Sequence, residues 1–204
     1  MLRVFNIDPA LHPQDVYLNN QVSATNIAYG NNNSYIAVQP GTYNLQFAQT
    51  GTTNLYGGYN IDFNTGKNYL MFLFNSNGSL QSEAFDASLL KLGLDTGEIR
   101  FFDFSPNAPV MDIGIKNTDT SKLDTTYTYY TRRYFNDIYS NPTLQKFIRL
   151  PSGTYYVKLR YYNTTTAFDS LLLRVGDRQS YTLLAHGYWD SSGVPPFVID
   201  TLRH

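Results

Sequence analysis

The chain repeats itself, and the repeat constrains the fold more than any other feature. RVFNIDP at 3–9 aligns with RFFDFSP at 100–106, and Asp15 aligns with Asp112, both at an offset of 97. Gly41 of PGTY aligns with Gly153 of SGTY, and Tyr69 aligns with Tyr181, both at an offset of 112. A constant offset on either side of one 15-residue insertion (112 − 97) implies two copies of one unit. The insertion falls between Asp112 and Pro151. Units of about 90–110 residues are ordinary domains. The expected organisation is repeat 1 at 1–88, a linker at 89–97, and repeat 2 at 98–204 with an inserted segment at about 117–142.

The repeated corner shows what kind of unit this is. After the turn, Tyr43, Leu45 and Phe47 alternate with Thr42, Asn44 and Gln46. In the second copy Tyr155, Val157, Leu159 and Tyr161 alternate with Thr154, Tyr156, Lys158 and Arg160. A period of two is a strand with one dry and one wet face. Further strands are expected at 2–7, 15–19, 34–38, 58–63, 68–74 and 80–86, and at 98–104, 111–116, 144–149, 168–175, 180–186 and 194–200. The clusters GNNNS, NTGKN, NSNGS and VGDRQS supply turns between them. About seven short strands per copy read as an antiparallel sandwich. DASLLKLGL at 86–94 is a turn of helix or an inter-domain linker, and its position just before the second copy favours the linker.

Composition agrees. Aromatic residues reach 16%, with 18 Tyr and 13 Phe, and such side chains suit pleated, half-buried surfaces. Hydrophobic residues at 42% against 15% charged support a buried core. A net charge of −1 supplies no global field to recruit nucleic acid or anionic lipid. Without cysteine there is neither a disulfide framework nor a thiolate metal site. The longest apolar run, YLMFLF at 69–74, is of strand length. Strand-like sequence begins at once with LRVFNI, so an exported form is expected to have lost its leader, with Met1 added back.

SPNAPVMDIGI at 105–115 and its weaker partner DPALHPQDVYL at 8–18, with PGTY and the strand after it, resemble the bacterial family catalogued as domain of unknown function 4397. Arg100, Ser105, Pro106, Ala108, Pro109, Asp112 and Ile113 match its pattern, and Asn107 replaces the usual Asp. In the first copy Arg3, Asn6, Pro9, Pro13, Asp15 and Val16 match, while Asp8 and His12 depart from Ser and Ala. The resemblance implies two tandem antiparallel immunoglobulin-like β-sandwich domains, an all-β protein. It further implies export to the periplasm or outer-membrane surface, as a Bacteroidetes-type lipoprotein anchored by lipid in the full-length precursor. The family brings no catalytic residues. The motif has a structural explanation: Ser105 or Asp8 bonding backbone at the end of strand one, and Asp15 and Asp112 receiving backbone N–H groups.

Catalytic signatures are incomplete. Asp95-Thr96-Gly97 resembles an aspartic-protease signature, but no second copy supplies the partner carboxylate. His12, His186 and His204 have no metal-ligand spacing. Thr65-Gly66-Lys67 lacks the upstream glycine of a phosphate loop, since Ile61 stands there. Asn117, Asp119 and Asp124 are too sparse for calcium. No cofactor, metal or catalytic set is expected.

The inserted segment concentrates Tyr127, Tyr129, Tyr130, Arg132, Arg133, Tyr134 and Tyr139. A loop that the first copy lacks is a favoured carrier of function, and Tyr and Arg dominate binding hot spots. The same residues could instead form an edge hairpin that covers its own domain. Tyr188-Trp189 is a second aromatic platform. The expected function is a non-catalytic extracytoplasmic binding or adhesion module for a glycan or cell-envelope protein, without nucleic acid. The alternative is a structural or assembly component of an envelope complex.

Overall fold

The computed structural model describes residues 1–31, 35–76, 78–87, 92–119, 127–189 and 195–204, with no side-chain description at 127 and 128. The chain is all-β and divides into two compact units, Met1–Ser88 and Leu89–His204. Part of the expected linker, residues 89–91, lies outside the described residues, as do residue 88 of the first repeat and residues 34 and 194 of two expected strands. β8 begins at Thr96, so the last two residues of the expected linker are strand.

Unit 1 contains β1 (Leu2–Asn6), β2 (Gln14–Leu18), β3 (Gln21–Ile27), β4 (Gly41–Gln49), β5 (Tyr56–Phe63), β6 (Tyr69–Ser76) and β7 (Ser79–Asp86). They form two sheets, ordered β1-β6-β7 and β3-β2-β4-β5. Unit 2 contains β8 (Thr96–Asp103), β9 (Met111–Asn117), β10 (Tyr127–Arg133), β11 (Ile148–Pro151), β12 (Gly153–Tyr161), β13 (Ala167–Val175), β14 (Ser180–His186) and β15 (Val198–Arg203). Its sheets run β11-β8-β14-β15 and β10-β9-β12-β13. Each unit is an immunoglobulin-like sandwich whose pairs are antiparallel except one. β1 runs parallel to β6, and β8 runs parallel to β14. Alternation of side chains gives no strand direction, so this pair was not legible in the sequence.

The cores follow the alternation. Leu45 and Phe47 of β4 meet Leu2, Val4, Met71 and Leu73 from the other sheet of unit 1. Val157 and Leu159 of β12 meet Ile99, Phe101, Leu183 and Ala185 in unit 2. The repeated Thr-Tyr step has a clear use in unit 2, where the Tyr155 hydroxyl donates to the Pro151 carbonyl at 2.7 Å and pins the turn.

The pairing moves the insertion. Gln14 faces Ile27 across β2 and β3, and Met111 faces Arg133 across β9 and β10. The offsets are 97 (111 − 14) and 106 (133 − 27). So β10 is the counterpart of β3, and Tyr127–Arg133 is not an added segment. The extra residues are nine in the β9–β10 turn (106 − 97) and six before β12 (112 − 106). Most of that turn, 120–126, lies outside the described residues. The six accompany one helical turn, α1 (Asp137–Ser140), and a 3-10 turn at Pro142–Gln145. That 3-10 turn occupies part of the strand expected at 144–149, and only Ile148–Pro151 pairs. β3 escaped the sequence reading because QVSATNI is mostly exposed and polar, an edge strand without alternation.

The same carboxylate shapes both edges. Asn26 and Arg132 have φ of 54° and 53°, in the left-handed region. Their N–H groups donate to Asp15 Oδ1 and Asp112 Oδ1, each at 2.8 Å. The second contact differs, with the Thr50 hydroxyl on Asp15 at 2.6 Å and the Asn163 N–H on Asp112 Oδ2 at 2.9 Å. Each motif aspartate therefore holds a bulge that its edge strand cannot satisfy alone. Asp112→Ala should cost about 1.5–3 kcal/mol, the usual range for hydrogen bonds to a charged acceptor, with Asp112→Asn costing less. Urea denaturation measures this, and an unchanged midpoint for the alanine variant would contradict the clamp.

Candidate functional site

The aromatic–basic segment divides between core and surface. Tyr130 is buried, and its hydroxyl donates to the Ile99 carbonyl at 3.0 Å. Arg133 is fully buried in a two-pronged ion pair with Asp137, Nε to Oδ2 at 2.5 Å and Nη2 to Oδ1 at 2.8 Å. Its guanidinium lies 5.3 Å from the Phe101 ring centre and 5.4 Å from that of Tyr130. Burial removes Tyr130 and Arg133 from any binding surface, which corrects the expectation for these two. Their inward direction follows from the shifted register of β10, where the bulge turns Arg133 onto Met111. Tyr129, Arg132 and Tyr134 are exposed. The Tyr127 side chain lies outside the described residues, although its backbone pairs with Ile115.

Tyr188 and Trp189 are half-buried. Trp189 packs edge-on against Phe168 and Phe197, with ring centres 4.6 and 5.4 Å away. The Tyr188 N–H donates to the Pro195 carbonyl, and the Phe197 N–H to that of Tyr188. This corner closes one side of unit 2. The corresponding side of unit 1 is an open cleft of about 300 Å³ lined by Phe47, Gly57, Gly58, Tyr59, Leu80 and Ser82, among others. Pairing of the last strands (Tyr69 with Asp86, Tyr181 with Arg203) sets Leu80 against Phe197 and Ser82 against Ile199 in the two copies. Smaller side chains and the paired glycines account for the opening.

The other motif residues have structural work. Arg100 is buried between the rings of Phe102 and Phe147, at 4.7 and 4.4 Å, and donates from Nε to Thr182. Arg3 repeats this over Phe5 and Tyr35. The Ser105 hydroxyl donates to the Gly187 carbonyl, and Asp8 accepts the N–H groups of Ala10 and Asn75. Asp95-Thr96-Gly97 is a turn entering β8. The Asp95 carbonyl accepts the Ser152 N–H, and a Cβ on Gly97 would meet Val175 at 2.4 Å. Lys67 of the glycine turn pairs with Asp86. His186 Nε2 lies 2.9 Å from Asp200 and His204 Nε2 lies 2.8 Å from the Thr182 hydroxyl. Among the described residues no three His, Cys, Asp or Glu side chains group to hold a metal ion.

The sequence reading overlooked the most distinctive surface. It is the outward face of the sheet β10-β9-β12-β13. Register sets Tyr156 beside Leu172 and Lys116, Lys158 beside Ser170 and Gly114, Arg160 beside Asp112, and Thr154 beside Arg174. Tyr156 is 49% exposed and Leu172 60%. At the corresponding positions of β4 and β5 unit 1 has Asn44, Gln46, the buried Ala48, Asn60 and Asp62, with no cation among them, while its β2 and β3 set Tyr17 beside Val22 on the same face. The signal was present in the wet half of the β12 alternation, but only alignment against β4 makes it stand out.

A family model described as "Domain of unknown function (DUF4397)" matches residues 1–114. The chain belongs to this family. The DUF4397 match takes in unit 1, β8 and the start of β9, and it ends before Lys116 and the β12 and β13 residues of the basic face. No curated protein matches the sequence. Among solved structures, the Bacillus anthracis TIE protein is similar at 12% identity and a TM-score of 0.30, over 92% of this chain. The chain spans 33% of the length of that protein. The family 26 carbohydrate-binding module of Eubacterium rectale Amy13K, solved with maltoheptaose, is similar at 10% identity and a TM-score of 0.26, over 100% of this chain and 95% of its own. Overlaps this loose have no bearing on function.

One buried carboxyl distinguishes the copies chemically. Asn6 and Asp103 are counterparts, and the Oδ1 of each accepts an N–H two residues on, from Asp8 and Ser105. Asn6 Nδ2 also donates to the Ile27 carbonyl at 3.1 Å. Asp103 has only an oxygen there, Oδ2, which is buried with no hydrogen-bond partner among the described residues. Burial raises its pKa to about 7; the Ser105 N–H opposes this, Asp137 adds to it and Arg133 opposes it. A proton on Oδ2 would make it the donor that Asn6 has. The native state holds this proton up to about pH 7, whereas the unfolded chain releases it near 3.8. Stability from this group is therefore full below about pH 4 and is lost as pH rises to about 7, by up to about 4 kcal/mol. Asp103→Asn should remove that slope and raise stability at pH 7–8. Parallel urea titrations from pH 4 to 8 check it; equal pH dependence in both proteins would refute it.

Proposed function

We propose that the chain is a non-catalytic binding module that works outside the cytoplasm and recognises its ligand, a glycan or an envelope protein, through the outward β10-β9-β12-β13 face of unit 2. The observation that carries this reading is the contrast between the two copies. One sandwich is built twice, and the outward positions that carry Lys158, Arg160 and Arg174 in unit 2 carry Gln46, Ala48 and Asp62 in unit 1. A side chain that the fold needed for itself would be expected in both. Tyr156 and Leu172 together leave apolar surface in water, which folding does not reward. The location outside the cytoplasm, with a lipid anchor in the precursor, extends the sequence resemblance. The absence of catalysis is supported by the structural engagement of Asp112 and the motif arginine.

Immobilised full-length protein, probed with glycan arrays and purified envelope proteins, tests this. Tyr156→Ala is expected to weaken binding about tenfold, the scale of one hot-spot contact of about 1–2 kcal/mol. Asn44→Ala, at the matching place in unit 1, should leave it unchanged. Binding that survives Tyr156→Ala and fails with Asn44→Ala would reverse the assignment. Turnover of a screened substrate, abolished by one Asp or His substitution, would end the non-catalytic reading.

A further inference from the structure

We infer that the ligand of this face is an anionic polysaccharide bearing carboxylate or sulfate groups; the inference rests on the binding-module reading and specifies its ligand. Four cations stand at outward positions on three adjacent strands: Lys116 on β9, Lys158 and Arg160 on β12, and Arg174 on β13. The one carboxylate among the described outward positions of these strands is Asp112, so the face carries a charge of +3 (4 − 1) in a chain of net −1. Asp112 is occupied by two backbone N–H groups, from Arg132 and Asn163. Lys158 and Arg174 are exposed and have no carboxylate partner among the described residues.

The geometry suits a chain rather than a compact anion. Lys158 and Arg160 are two residues apart, about 7 Å along the strand, and β9 to β13 spans about 10 Å across the sheet. Single phosphates are gripped by convergent donors in a concavity, whereas these cations stand apart on a pleated surface. Spaced acidic groups of an extended polymer meet that arrangement. Tyr156 beside Leu172 gives the apolar strip on which the C–H face of a sugar ring rests.

Other polyanions fit less well. Single-stranded nucleic acid is held by successive stacking rings, and Tyr156 is the one aromatic residue among the described outward positions of β9, β12 and β13. A protein partner is disfavoured because lysine is depleted in the cores of protein interfaces. Each exposed charge pair contributes less than about 1 kcal/mol, so affinity must come from several at once. Binding then falls with salt; with about three contacts and a slope near −0.7 per contact, a fourfold rise in salt lowers affinity roughly twentyfold.

The test uses the full chain with polygalacturonate, chondroitin sulfate, neutral dextran, a single-stranded oligonucleotide and phosphatidylglycerol vesicles, at 50 and 200 mM NaCl. Acidic polysaccharide should bind, with a loss of tenfold or more at the higher salt. Neutral dextran should not bind. Lys158→Glu with Arg174→Glu should abolish binding while leaving the urea midpoint near wild type, since both side chains are exposed. Dextran binding that is indifferent to salt, or tighter binding of the oligonucleotide or vesicles, would overturn the anionic-glycan assignment. Dextran binding lost with Tyr156→Ala would leave the binding-module reading intact, whereas failure of every glycan and envelope protein to bind would overturn both.

Discussion

One carboxylate in each sandwich decides which residues of one sheet, β3-β2-β4-β5 in unit 1 and β10-β9-β12-β13 in unit 2, face water. Asp15 and Asp112 take the N–H of a residue in left-handed conformation at the bulge of the edge strand. Without that acceptor, the edge strand would have to straighten or leave a polar group unpaired. Straightening by one residue exchanges inward and outward side chains. Arg133 would then leave the core and Tyr130 would lose the Ile99 carbonyl. The register of β9 against β12, which sets Tyr156 beside Lys116, shares this anchor, because Asp112 also holds the chain just after β12 through Asn163. The family motif thus carries its last aspartate for a mechanical reason. The other motif positions serve the same corner, with the arginine clamped between two rings and the serine or aspartate closing the exit of the first strand.

Duplication separates what the scaffold needs from what it merely permits. The arginine clamp, the aspartate bulge and the inward residues of β4 and β12 recur in both units with altered detail. Three of the differences lie at matching places and alter the surface or the proton binding of a unit. The side between the last strands is an open cleft in unit 1 and is packed by Phe197 and Ile199 in unit 2. The buried Asn6 becomes Asp103, which trades a permanent donor for one that depends on protonation. The outward sheet face gains cations, where unit 1 has Gln46, Ala48 and Asp62. The second difference alters proton binding within a unit, whereas the cleft and the basic face are both presented to solvent.

The sequence made the duplication legible because the offset is a property of the letters alone. It made most strands legible because burial on one face imposes a period of two. It failed where burial imposes no period. β3 is exposed on both faces, so QVSATNI carries no strand pattern, and its counterpart β10 was consequently taken for an insertion. A bulge shifts the alternation within β10, and letters alone cannot say that Tyr130 and Arg133 point inward while Arg132 points out. The basic face was written in the alternation of β12, where Tyr156, Lys158 and Arg160 were read as a wet side and left there.

The electrostatic cost of that face gives the argument its direction. Two like charges about 7 Å apart in water repel by about 0.6 kcal/mol, and salt reduces this further. The penalty is small enough for the sandwich to tolerate several such pairs, but it is a penalty. No folding term offsets it: Lys158 and Arg174 touch no carboxylate among the described residues, and the nearby Asp112 is committed to backbone. Unit 1 folds the same sheet with Gln46, Ala48 and Asp62 at those places and avoids the cost. An arrangement that weakens the free protein slightly and is relieved by an external polyanion has its stabilising partner outside the chain.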